Sequence, residues 1–152
     1  MISKLKYIGT KTEDLIEIYC LYVRSLLEYC SVVFHSSLTK EQIDQLENVQ
    51  HVALFAILGE NYVSPSAARE MTGLPELSER RERRLETFIR RSLDHPKHSK
   101  LFPRKEVKSE RSVRDREPFQ VNFARTEFYS RSTIVYCQNK ANQMVRDGKL
   151  KL

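Results

Sequence analysis

Apolar residues recur at three- and four-residue steps through two consecutive stretches of this chain, a period that belongs to helices and not to strands. In the first stretch Leu15, Ile16, Tyr19, Tyr22, Val23, Leu26, Leu27, Cys30, Val33 and Phe34 fall on one broad stripe, as in a helix packed centrally in a bundle. Thr10 and Glu13 stand at the spacing of a capping box, so the helix is expected to open there and to end at Ser36 and Ser37. In the second stretch Ile43, Leu46, Val49, Ala53, Ala56 and Ile57 share a face. Thr39 and Gln42 make a second box, and Gly59 stands where a C-cap glycine belongs. Helices joined by so short a polar turn pack antiparallel.

Ser64 followed by Pro65 predicts a third, short helix that ends at Gly73. A fourth follows Leu74-Pro75 and stops at Pro96, with Leu77, Leu85, Phe88, Ile89 and Leu93 facing inward. Between His95 and Pro118 the periodicity disappears into Ser, Pro, Lys and Arg. Beyond it Phe119, Val121 and Phe123 alternate, as in a short extended stretch, and Ser130 or Ser132 could cap a last helix running through Val145. The expected architecture is all-α. An entry linker spans residues 1–9, a small helical bundle residues 10–95 and a flexible basic linker residues 96–118. A C-terminal tail with one helix completes the chain over residues 119–152.

Charge is distributed unevenly. Residues 1–75 carry six Lys and Arg against nine Asp and Glu, whereas residues 76–152 carry 20 against 11. A basic half of this kind suits contact with phosphates. Within it Arg80, Arg84 and Arg91 line one stripe of the fourth helix, with Arg83 and Arg90 beside them and Arg81 nearer the apolar side. Guanidinium groups along one helix face can track a phosphate backbone. The competing reading is a solvated face laced by ion pairs, because Glu79 with Arg83 and Glu86 with Arg90 stand at i,i+4 spacing. In the tail, Phe119, Phe123, Phe128, Tyr129 and Tyr136 interleave with Arg125 and Arg131. Such rings either stack on bases or dock the tail onto the bundle.

Chemistry of its own is not expected from the chain. It has no nucleophile elbow, Walker loop or zinc-protease motif, and no adjacent Asp pair to hold two metal ions. No cofactor or metal site is expected: His95 and His98 lack a completing ligand set, and Cys20, Cys30 and Cys137 have no paired spacing. Unpaired cysteines, no apolar run of membrane-spanning length and no signal-like apolar segment near Met1 lead us to expect an intracellular chain, cytoplasmic or nuclear, without membrane contact.

The sequence resembles the C-terminal region of the reverse transcriptases of non-LTR (jockey-like) retrotransposons. Five ordered blocks carry the resemblance: KLKYIGTKTEDLIEIY, RSLLEYCSVVFHSSLTKEQ, LENVQHVALFAILGENY, GLPELSERRERRLETFIRR and FQVNFARTEFYSRSTIVYCQNKAN. Departures from that pattern are Phe34 where the family often has Trp, His51 and Val52 where it often has a basic pair, and Val135 where it has Pro. The resemblance implies a helical thumb-like and post-thumb region of an RNA-directed DNA polymerase whose catalytic carboxylates lie upstream. Such a piece would be inert alone and would help to hold a template–primer duplex, RNA–DNA hybrid or DNA, beside the upstream polymerase palm. The contact residues it points to are Arg80, Arg83, Arg84, Arg90 and Arg91 on the helix, and Arg125 and Arg131 in the tail. The alternatives are a helical protein-interaction module, using the wide stripe from Leu15 to Phe34, or a nonfunctional remnant of the element.

Overall fold

The computed structural model describes residues 1–105 and 117–150. Among them no strand forms. The chain is all-α, with helices α1 Ile2–Tyr7, α2 Thr12–Ile18, α3 Ser25–Leu27, α4 Ser31–Phe34, α5 Lys40–Leu58, α6 Pro65–Thr72, α7 Leu77–Asp94, α8 Glu127–Ser130 and α9 Thr133–Arg146. Two compact units divide it: residues 1–31 with 38–82, and residues 32–37 with 83–152. The division falls within α7 and not after it. Residues 106–116, the middle of the expected linker, lie outside the described residues.

Local signals produced the helix ends they announced in the middle of the chain. Thr39 and Gln42 close a complete capping box at α5, with Gln42 N–H donating to Thr39 Oγ1 at 3.3 Å and Thr39 N–H to Gln42 Oε1 at 2.9 Å. Ser64 Oγ accepts from Ala67 N–H at 3.2 Å ahead of Pro65, and Gly73 ends α6 at φ +67°. Near the N-terminus two expectations are corrected. Residues 2–7 are helical with Ile2 buried, so the entry segment is part of the first unit's core. The Thr10 box does not form, because Thr10 N–H bonds Leu5 O and α2 opens two residues later behind Lys11.

The long first helix expected from Thr10 to Phe34 is also broken. Residues Tyr19–Arg24 form a π-helical segment, α3 follows for three residues, and the chain turns at Glu28–Cys30 with Cys30 at φ +52°. Nine residues of regular α-helix would turn by about half a revolution and put Glu28 opposite Tyr19. The wider π turn rotates less per residue and brings Glu28 round to the buried side. Both side chains are buried, Tyr19 at 0% and Glu28 at 2% exposure.

In the first unit Leu15, Tyr19, Leu54, Ile57, Ala68 and Leu74 form the apolar core. A polar network is set into it. The Tyr19 hydroxyl donates to Gln50 Oε1 at 3.1 Å, and Gln50 Nε2 donates to Pro75 O at 3.0 Å. Glu47 accepts from Leu77 N–H at 3.0 Å and Ser78 N–H at 2.6 Å, so a carboxylate from α5 caps the opening turn of α7. The same carboxylate lies 3.6 Å from the guanidinium of Arg81, which is fully buried and has no hydrogen bond. Burial pulls Arg81 below the usual arginine range, and Glu47 and then Glu28 oppose it.

The second unit packs Leu85 and Ile89 of α7 against Phe102, Phe119, Cys137, Ala141 and Met144. Parts of the expected linker and tail are therefore core. Phe102 and Phe119 meet edge to face at 5.9 Å. Two amides four residues apart on α9 hold the extended backbone. Asn142 both accepts from Phe119 N–H and donates to Phe119 O, each at 3.0 Å. Gln138 accepts from Asn122 N–H and donates to Leu101 O, each at 2.8 Å.

A buried ion pair contributes little net stability, but losing one partner leaves an uncompensated charge. Glu47→Ala is therefore expected to destabilise by about 3 kcal/mol in urea melts, and Arg81→Met by clearly less, because Glu47 then still accepts from the Leu77 and Ser78 N–H groups. Equal losses from the two variants would contradict this account. Burial also pushes the Cys137 thiol from 9.0 to about 11. Because the folded state binds this proton more tightly, its contribution to stability is present below pH 9.0 and is lost as pH rises towards 11. At pH 8 the exposed Cys30 should react with an aromatic disulfide reagent at once and Cys137 only after unfolding, which a timed absorbance assay reads directly.

Candidate nucleic-acid interface

The second unit presents one half of α7 to its core and the other to solvent. Leu85, Ile89 and Ser92 are buried, while Arg83, Arg84, Thr87, Arg90, Arg91 and Asp94 are exposed. Seven residues are close to two full turns, so Arg83 superposes on Arg90 and Arg84 on Arg91 along the axis. This places two rows of guanidinium groups, about a quarter-turn apart, on the solvent side. Arg83 and Arg84 engage in further interactions within the molecule. Arg90 and Arg91 have no ion-pair partner among the described residues.

Arg80 does not share that situation. Its Nε and Nη2 donate to the two oxygens of Glu28 at 2.5 and 3.2 Å, a bidentate pair that holds a carboxylate 2% exposed. The hydrogen bond it donates to Glu28 is the main cause that raises Arg80 above its usual value. The stripe read from the sequence thus begins with an arginine engaged inside the first unit and continues with four on the surface of the second. Glu28 lies 52 residues away in the chain, and no local signal points to it.

In the tail the structure separates rings that the sequence grouped. Phe119 is 1% exposed and Tyr136 packs edge-on against His35 at 5.8 Å, so these two dock the tail. Phe123 and Phe128, at 87% and 90%, are open to solvent. Arg125 between them is exposed without an ion-pair partner among the described residues. Arg131 pairs with Glu127 one helical turn away. Exposed rings flanking an arginine offer stacking faces together with a phosphate ligand.

The described residues offer no cluster of metal-ligating side chains beside this surface. His95 and His98 stack at 4.4 Å between ring centroids, and no group of three His, Cys, Asp or Glu side chains converges. No described helix is long and apolar enough to cross a membrane. Comparison of the chain with protein-family models, curated proteins and solved structures found no match.

The different positions of the arginines separate their effects on stability. Arg80→Ala, which strips a buried carboxylate of its bidentate partner, is expected to cost about 2–3 kcal/mol. Arg91→Ala, on the open face, is expected to stay within about 0.5 kcal/mol of the parent. Thermal melts of both variants check this, and a large loss with Arg91→Ala would show that the open face is structural.

Proposed function

We propose that this chain acts as the thumb-like C-terminal portion of a non-LTR retrotransposon reverse transcriptase, holding a template–primer duplex without chemistry of its own. The observation that carries the reading is the sorting of the α7 arginines, with Arg83, Arg84, Arg90 and Arg91 on the solvent half of a helix whose other half is core. A helix anchored in this way can lay its outer rows along a phosphate backbone. Arg125 and Arg131, with the exposed rings of Phe123 and Phe128, extend the set for a frayed strand or a single-stranded overhang. The five blocks of family-like sequence give the same direction, and the polymerase palm would be supplied by sequence upstream of such a region.

A second reading rests on a separate observation. Leu21, Tyr22, Leu26 and Tyr29, on and after the π-helical segment, are between 60% and 76% exposed. An apolar row of this kind suits a protein partner, such as the palm or an unrelated chain.

Fluorescence anisotropy with an RNA–DNA hybrid of about 16 base pairs discriminates the two. On the duplex reading the logarithm of affinity falls linearly with the logarithm of salt, and Arg84→Ala with Arg91→Ala lowers the slope by about 2. Absence of salt-dependent binding, together with concentration-dependent sedimentation that Tyr22→Ser and Leu26→Ser abolish, would replace this reading with the protein-partner one.

A further inference from the structure

The second unit contains a cleft of about 840 Å3, within the size range of small-molecule sites. Four cationic residues line it, Arg90, Lys100, Arg104 and Lys149, against one carboxylate, Asp94. Only Lys149 is drawn away, to Glu86 at 3.3 Å. Arg90, Lys100 and Arg104 have no ion-pair partner among the described residues. Like charges converging on one concavity repel each other, and a dianion placed among them relieves that repulsion. Besides Ser99 and Gly148 the remaining walls are apolar, and Leu93, Pro103 and Leu150 form a lining that a purely inorganic ion would leave unused.

We propose that this cleft binds a nucleoside monophosphate unit. Arg90, Lys100 and Arg104 hold the phosphate, and Leu93, Pro103 and Leu150 receive the base. A phosphate monoester carries close to two negative charges at neutral pH, which matches the excess of cations better than a carboxylate does. The two guanidinium forks offer paired donors to its oxygens, while Lys100 contributes a point charge. The unit is either a free nucleotide or the phosphorylated 5′ end of a strand, and the chemistry that recognises it is the same. The site goes beyond the duplex-holding surface, with which it shares Arg90, and it is tested separately through Lys100 and Arg104, which lie outside that set of arginines.

Isothermal titration of the full chain tests the proposal with adenosine 5′-monophosphate, adenosine, inorganic phosphate, and a tetranucleotide with or without a 5′ phosphate. The monophosphate is expected to bind at least about tenfold more tightly than adenosine or inorganic phosphate. The double variant Lys100→Glu with Arg104→Glu should weaken it by about tenfold or more, while Lys97→Glu, exposed and outside the cleft, leaves it unchanged. Circular dichroism melts confirm that the variants fold, and Arg90→Gln serves if the double variant does not. Tighter binding of the phosphorylated tetranucleotide identifies a strand end as the source, and tighter binding of the free monophosphate identifies a soluble nucleotide. No binding of either, inorganic phosphate binding as well as the monophosphate, or full affinity in the charge-reversed variant overturns the proposal.

Discussion

The start and rotational phase of α7 depend on one carboxylate. Glu47 accepts the first free N–H groups of that helix and faces Arg81 from the same position. A side chain that satisfies both a helix N-terminus and a buried cation fixes where the helix begins and which residues it turns inward. With Arg81 turned in, the helical period carries Leu85 and Ile89 to the inner side and Arg83, Arg84, Arg90 and Arg91 to the outer one. A basic surface and an apolar core are thus opposite consequences of the same phase. Arg81 is held at a cost in desolvation, since none of its donors finds a hydrogen bond.

Features encoded within a few residues were legible in the sequence. The Thr39–Gln42 box, the Ser64–Pro65 opening and the left-handed Gly73 depend only on neighbours along the chain. The seven-residue spacing that puts Arg83 with Arg90 and Arg84 with Arg91 is equally local, so the outer rows of α7 could be drawn before any coordinates. What could not be read depends on distant partners. Glu28 meets Arg80 across 52 residues, Gln50 meets Pro75 across 25, and Asn142 meets Phe119 across 23. Those contacts decide that the first helix breaks, that Arg80 is paired to a buried carboxylate, and that the expected linker and tail contribute Phe102 and Phe119 to a core. Thr10 illustrates the opposite failure, in which a correct local pattern yields to a tertiary claim on its backbone by Leu5.

Two exposed surfaces among the described residues differ in chemical character. One is the arginine face of α7 with the exposed rings and arginines near Phe123 and Phe128. The other is the apolar row Leu21, Tyr22, Leu26 and Tyr29 in the first unit. A thumb-like piece of a larger polymerase would use the first for nucleic acid and the second for the rest of the enzyme.

The most direct measurement is photocrosslinking of the full chain to an RNA–DNA hybrid carrying 4-thiouridine, with the modified peptides mapped by mass spectrometry. The account predicts crosslinks concentrated in residues 83–94, with a second set in residues 123–131. Crosslinks confined to residues 1–31, or none at all at low salt, would contradict it.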